Sequence, residues 1–139
     1  MHLRFSDGCR PYLSVDSTAL NGRWNGQLAS ATGVDGHNWM FPLAFGFFQS
    51  ETVESWSWFM TQLKKAVGDL SVLTICSDAQ KGLMHAVAEC FPNAEKQECF
   101  RHLMANYVKI HAGSEHMYPA ARAYRKQVFE HQCYCKPIK

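Results

Sequence analysis

The spacing of apolar residues changes near residue 50, and this change limits the folds open to the chain. Before it, apolar and polar residues alternate or form short apolar runs, which is typical of strands at 11–18, 27–34 and 39–48. After it, apolar residues recur every three or four positions, as on one face of a helix. They are Val53, Trp56, Phe59, Met60, Leu63 and Val67. Such a chain needs a sheet with helices packed against it.

Two segments rich in Asn, Asp and Gly separate the three strands. Residues 21–26 and 35–38 contain residue types that adopt positive φ at little cost, which is typical of tight hairpin turns. The first fifty residues are therefore predicted to form a three-strand antiparallel meander. The third segment, 39–48, is mostly apolar, and this indicates a strand buried on both faces.

After the first helix, strands and helices alternate. A short apolar strand is predicted at 72–76, and a helix at 79–90 ends before Pro92. The periodicity of that helix predicts burial of Leu83, Met84 and Val87. The remaining elements are one strand and two helices, predicted over 94–98, 100–110 and 117–131. This order predicts an α/β fold with a mixed sheet, the order associated with ribonuclease H-like folds.

The composition suits one domain with a hydrophobic core, and its charges are unevenly distributed. Of the 139 residues, 47 % are hydrophobic, and the net charge is +2. From Lys96 onward eight basic residues stand against three acidic ones, whereas the residues before it are acidic overall. No apolar run approaches the ~18 residues that span a bilayer, so we expect no membrane contact. The six cysteines are irregularly spaced and follow no secretory signal, which predicts free thiols.

Asp16 and Asp78 each follow an apolar segment that is predicted to be a strand. The carboxyl ends of strands meet at one edge of an open α/β sheet, and ligands bind there. Two carboxylates at that edge could hold Mg²⁺, and two ions about 4 Å apart would activate the attacking oxygen in a phosphoryl transfer. A second interpretation also fits the pattern, with Asp16 as a turn residue and Asp78 as a helix N-cap.

Six short blocks of sequence carry a resemblance to a known family. They read Arg10–Thr18, Gly33–Gly36, Phe41–Phe45, Glu54–Phe59, Ser77–Leu83 and Cys99–Leu103. In this order they resemble the catalytic domain of plant Mutator-like element (MULE) transposases. The resemblance implies a DDE-type transposase core of ribonuclease H-like fold, with Asp16 and Asp78 as the first two acidic residues of the catalytic triad. It also implies Mg²⁺ or Mn²⁺ as cofactor, DNA (transposon ends and target) as partner and a nuclear location, and it leaves a homo-oligomer open.

The pair Cys99-x-x-His102 resembles the Cys/Asp-x-x-His element of that family. We expect His102 to face the active-site edge as a catalytic residue that contacts phosphate or DNA, with Cys99 packed beneath it. On one helix the two side chains would share a face and could ligate a metal. A structural zinc would need further ligands from His131, Cys133 and Cys135, and we do not expect one.

The third acidic residue of the family's triad is a Glu that follows a long helical insertion. We therefore expect residues 1–110 to form a partial core, residues 111–139 to begin the insertion, and the Glu to lie beyond Lys139. Glu115 and Glu130 lie in amphipathic helical sequence, which indicates solvent-exposed positions instead. With two aspartates alone, the chain is expected to bind metal weakly and to be inactive in strand transfer.

Five basic residues are candidates for contact with nucleic acid: Lys81, Arg101, Arg122, Arg125 and Lys126. The last three share one face of a predicted helix and could line up with backbone phosphates. The alternative is an ordinary charged surface. Trp58 is predicted to point away from the core and to be free for contact with DNA or a partner.

Two functions remain open from the sequence. The first is a transposase catalytic-domain fragment, whose family cuts and transfers DNA strands with metal ions. The second is a domesticated transposase-derived module that binds DNA and regulates transcription without catalysis. A metal titration distinguishes them, because only the first needs divalent ions at the aspartates.

Overall fold

The computed structural model describes residues 5–111, 113, 115 and 117–123. The chain divides into two compact units, Met1–Cys99 and Phe100–Lys139. The predicted division into 1–110 and 111–139 stays a prediction.

The first unit contains one five-stranded sheet and two long helices. Along the chain its elements are a 3-10 helix at Phe5–Asp7, then β1 Cys9–Leu20, β2 Gly26–Asp35, β3 Met40–Phe48, α1 Val53–Val67, β4 Thr74–Ser77, α2 Lys81–Cys90 and β5 Glu95–Glu98. The strand order is β3-β2-β1-β4-β5. Strands β1 to β3 pair antiparallel, and β4 pairs parallel with both β1 and β5. The mixed sheet and this strand order confirm the predicted ribonuclease H-like fold class.

The predicted hairpin between β2 and β3 has the expected turn chemistry. The Asp35 carboxylate accepts hydrogen bonds from the backbone N–H groups of His37 (2.8 Å) and Trp39 (2.9 Å). Asn38 adopts a φ of 68°, a region that Asn enters more readily than most residues. Local side chains therefore specify this turn.

Helix α1 packs on the sheet through the face that the sequence predicts. Its buried residues are Trp56, Phe59, Met60, Leu63 and Val67, whereas Val53 is exposed. The Thr52 hydroxyl caps the helix by accepting the N–H of Ser55, and Gly68 ends it with a φ of 81°. A Cβ added at Gly46 of β3 would lie 2.6 Å from Cδ2 of Phe59. Gly46 thus permits the close approach of α1 to β3.

Two predictions of burial are wrong. Strand β3 is not buried on both faces, because in the described part of the chain it is an edge strand whose Phe45 and Phe47 are exposed. Met84 of α2 is exposed, while Leu83, Ala86 and Val87 are buried. Buried positions separated by three and four residues define one helix face, and Met84 lies about 100° around the helix from Leu83.

The second unit contains α3, Phe100–Ile110, and α4, Met117–Ala121. The rings of Phe100 and Tyr118 meet edge to face with centroids 5.5 Å apart. The continuous helix predicted over 117–131 is wrong, because α4 ends at Ala121; residues 124–131 lie outside the described residues. Over the ranges that the structure describes, every helix is too short or too polar to cross a membrane.

Candidate functional site

The pairing of β1 with β4 brings Asp16 and Asp78 side by side. In the parallel register Val15 pairs with Ser77, and the next residue on each chain segment is an aspartate. Adjacent strands lie about 4.8 Å apart, so the two backbones bring carboxylates to neighbouring positions at one edge of the sheet. Both aspartates are partly buried.

Asp16 differs from its prediction in one respect: it does not end its strand. Strand β1 continues to Leu20 because it pairs antiparallel with β2 as far as Gly26. Asp16 is therefore a strand residue, and the interpretation as a turn residue is wrong. It lies instead where the parallel pairing with β4 ends.

Asp78 does not cap α2, so that alternative is also wrong. The N-cap is Gln80, whose side-chain oxygen accepts the N–H of Leu83 at 3.3 Å. The Asp78 carboxylate accepts a hydrogen bond from the backbone N–H of Gln80. At the other strand, the Asp16 carboxylate accepts the N–H of Ser17 at 2.8 Å. Each carboxylate is thus oriented by the backbone that follows it.

Glu51, which was not predicted from the sequence to belong to the site, connects the two aspartate segments. Its carboxylate accepts a hydrogen bond from the Ser17 hydroxyl, next to Asp16. Its backbone carbonyl accepts one from the side-chain amide of Gln80, two residues after Asp78, at 3.4 Å. The sequence offered one signal for Glu51, which is its position before the N-cap Thr52. A Glu there lies outside the first turn of α1, so interaction with the helix dipole does not explain its presence.

Uncharged polar side chains lie on the same face of the sheet as Asp16. Alternation along β1 puts Tyr12 on that face, and its partner strand contributes Cys76. Burial raises the pKa of Tyr12 to about 12, with a further contribution from its hydrogen bond to Cys76. Burial also raises the pKa of Cys76; its hydrogen bond with Tyr12 opposes this effect in part, and the negative charge of Asp16 adds to it. Both groups therefore stay protonated at neutral pH, and Cys76 is not a thiolate nucleophile.

The Cys99-x-x-His102 pair does not share one helix. The N–H of Cys99 donates to the carbonyl of Ser77 at 2.7 Å, which extends the pairing of β5 with β4. Helix α3 begins at Phe100, so His102 belongs to the first turn of the second unit. The predicted common helix face is therefore wrong, and the catalytic role of His102 stays a prediction.

The donor set of the aspartate pair suits a hard divalent ion. Mg²⁺ and Mn²⁺ prefer oxygen ligands, and Mg²⁺ commonly binds through one or two carboxylates and keeps several waters. Within the described residues, no group of three or more His, Cys, Asp or Glu is arranged to hold a metal ion. The zinc candidates His131, Cys133 and Cys135 lie outside the described residues. Asp16 and Asp78 can thus supply two ligands to a single Mg²⁺ or Mn²⁺.

A cavity of about 180 Å³ adjoins Asp78 at the ends of β4 and β5. Two charged residues of β5, Lys96 and Glu98, line it together with apolar Met84 and Val87 of α2. Glu98 is a second acidic residue near Asp78 that the sequence analysis did not select. Its strand is exposed and polar, which gave no apolar pattern to draw attention to it.

The predicted DNA-contacting residues are distributed over both units. Lys81 is exposed at the first position of α2, three residues after Asp78. Arg101 is exposed in the first turn of α3. Arg122 lies one residue past the end of α4, so it does not share a helix face with Arg125 and Lys126 as predicted. Arg125 and Lys126 lie outside the described residues. Of the five, Lys81 is the one beside the aspartate pair in the first unit.

Comparison with known proteins gives a family and several relatives. Residues 12–106 match the model of the MULE transposase domain. "Protein FAR1-RELATED SEQUENCE 6" of Arabidopsis thaliana is 32 % identical over 117 residues, which cover 84 % of this chain and 16 % of that protein. The chain therefore spans only a small part of this relative.

Two solved structures are also similar. The catalytic core domain of BIV integrase is 13 % identical, with a TM-score of 0.44 over 91 % of this chain and 74 % of that chain. A chain of the simian T-cell lymphotropic virus intasome in complex with PP2A regulatory subunit B56 gamma is 9 % identical. It has a TM-score of 0.45 over 88 % of this chain and 47 % of that chain.

Proposed function

This chain belongs to the MULE transposase family, and we propose that its paired aspartates bind a divalent metal ion at which a DNA strand is cut. The observation that carries the proposal is the register of β1 and β4, which brings Asp16 of β1 beside Asp78, the residue that follows β4. The family reaction is a hydrolytic cut at the element ends, followed by attack of the freed 3′-hydroxyl on target DNA.

The residues of the site have separate tasks in this proposal. Asp16 and Asp78 hold the ion, and the backbone N–H groups that follow them orient their carboxylates. The chemistry that a divalent ion supplies in such a site is Lewis acidity toward phosphate oxygens. Lys81, exposed at the start of α2, attracts a phosphate of the DNA strand. Glu51 keeps the two aspartate segments at a fixed separation through Ser17 and Gln80.

Two carboxylates support only part of this chemistry. Binding of one ion by Asp16 and Asp78 leaves the remaining coordination positions to water and DNA phosphate. A second ion would need further ligands, and the described residues provide no cluster for it. We therefore propose weak Mn²⁺ or Mg²⁺ binding and no strand transfer by the 139-residue chain.

The test is a calorimetric titration with Mn²⁺. The natural chain should bind one ion, and D16N or D78N should weaken its affinity about tenfold or more, because each removes one charged ligand. D69N is the matched control, since Asp69 is an exposed acid whose carboxylate contacts Lys64 at 3.6 Å instead. Equal affinity in D16N and D69N would refute the proposed metal site.

The alternative function uses the same fold to bind DNA without catalysis. Because the described residues offer two acidic ligands rather than three, a DNA-binding regulatory module derived from a transposase is the alternative. In that case DNA binds equally well with and without a chelator. For either function we propose a nuclear location, which a fluorescent-protein fusion tests.

A further inference from the structure

Two exposed aromatic residues lie on the face of the sheet that carries Asp16. Across the sheet Asp16 pairs with Ser30, and Ser30 pairs with Phe45. Directly paired residues of antiparallel strands point to the same face, so Phe45 and Asp16 share one face. Phe47, two residues further along β3, shares it too. Phe45 is 60 % and Phe47 71 % exposed.

The contact between β3 and α1 supports this assignment independently. Gly46 faces α1, since a Cβ there would lie 2.6 Å from Phe59. Its neighbours Phe45 and Phe47 must therefore point away from α1. Large apolar side chains that cluster on the surface commonly mark a binding site.

Phe47 and Trp24 line an open cleft of about 570 Å³. Trp24 lies in the turn between β1 and β2 and is 80 % exposed. Two residues with amide side chains, Asn25 and Gln49, also line the cleft. Arg23, which is exposed and precedes Trp24 in the chain, adds a positive charge near the cleft. The cleft thus combines aromatic faces, amide donors and acceptors, and a cation.

This combination matches the chemistry of a nucleobase. Aromatic side chains stack on bases, amides pair with base edges, and arginine binds the adjacent phosphate. A base inside a duplex has no free face, so the ligand must be unpaired. We propose that the cleft between Trp24 and Phe47 binds an unpaired nucleobase of the DNA strand engaged at Asp16 and Asp78. This inference rests on the proposed function for two points: that the ligand is DNA, and that this DNA is cut at Asp16 and Asp78.

The separation between cleft and aspartates fits one continuous strand. Phe47 pairs with Leu28, and Leu28 pairs with Thr18, two residues past Asp16. With ~4.8 Å between strands and ~3.4 Å per residue, Phe47 lies about 12 Å from Asp16. That length corresponds to a few nucleotides of one DNA strand. A DNA end that frays by a few nucleotides would reach the cleft from the cutting site.

The test measures binding of a short fluorescein-labelled DNA single strand by anisotropy, in EDTA so that the metal site plays no part. W24A and F47A should each weaken binding about 5- to 150-fold, the range for loss of one stacked base. W24F should restore most of the affinity. W39A is the matched control, because Trp39 is 74 % exposed in the hairpin turn at the other end of β3.

A DNA single strand with abasic sites keeps its phosphates and loses its bases. The natural chain should therefore bind this abasic DNA as weakly as the W24A variant binds the unmodified DNA. The inference is overturned if W24A and W39A bind alike, if a blunt duplex binds as tightly as the single strand, or if RNA is preferred. It is also overturned if W24A changes the oligomeric state and leaves DNA affinity unchanged. A Mn²⁺ titration of W24A separates the two proposals, since this variant should bind Mn²⁺ as the natural chain does while losing affinity for the DNA single strand.

Discussion

Replacing Gly46 with alanine tests how α1 and the sheet fit together. The added methyl would lie 2.6 Å from Cδ2 and 3.1 Å from Cε2 of Phe59. Carbon atoms pack best at about 3.5–4.0 Å, so the overlap approaches 1 Å. Phe59 cannot swing away freely, because it is buried and its ring meets that of Trp56 edge to face at 6.0 Å.

The expected cost follows from two opposing effects. Overpacking of this kind destabilises by about 1–3 kcal/mol. Alanine also restricts the unfolded chain, which stabilises by about 0.4–1 kcal/mol. We therefore expect G46A to lower the free energy of unfolding by about 1–2 kcal/mol. The variant should also disturb the cleft, since Gly46 lies between Phe45 and Phe47 on β3.

Urea unfolding followed by tryptophan fluorescence and circular dichroism measures the change. G22A is the matched control, because a Cβ at Gly22 meets no described atom within 4 Å. The double variant G46A/F59L should be more stable than the sum of its single variants predicts, since leucine removes the ring that collides. Equal stability of G46A and G22A would refute the packing of α1 against β3 described above.

Three further predictions concern the site. E51A should weaken Mn²⁺ binding several-fold through loss of the hydrogen bond that its carboxylate accepts from Ser17, while E54A, in the first turn of α1, should not. Equal titration curves for the two would remove the Glu51 carboxylate from the site. The raised pKa of Tyr12, about 12 against 10 unfolded, favours the protonated folded state, so its stabilisation is complete below pH 10 and is lost as pH rises toward 12. Urea unfolding across that range should show this loss in the natural chain and a smaller one in Y12F. K81A should weaken DNA binding and reduce the slope of log affinity against log salt by about 1, whereas K65A, at the exposed end of α1, should leave the slope unchanged.

The sequence predicted the local elements well because their signals are local. The turn at Asp35 and Asn38 and the buried face of α1 both depend on residues close in the chain. The family was also predicted from short blocks, and the match over residues 12–106 confirms it. The errors at β3 and Met84 have one cause, because apolar composition alone does not say which face of an element meets a neighbour.

The site was predicted only in part. Asp16 and Asp78 were selected correctly as neighbours, but their roles as ligands stay predictions. Glu51 was missed because its link to both segments joins residues 34 and 29 positions apart in the chain. No periodic pattern records such a link. Trp24 and Phe47 were missed for the same reason, since their common cleft depends on the path of two separate hairpins.

By itself, the sequence determined the strands of the sheet, helices α1 to α3 and the turns, and it selected Asp16 and Asp78 as the acids that come directly after apolar segments. Only the tertiary structure decided that β1 lies between β2 and β4, so that Asp16 meets Asp78 across a parallel pairing. It also decided that β3 stands at the edge and exposes Phe45 and Phe47 on the face of Asp16. The physical reason is that hydrophobic periodicity records whether a residue is buried, whereas strand order depends on backbone hydrogen bonds between distant segments, which any side chain permits.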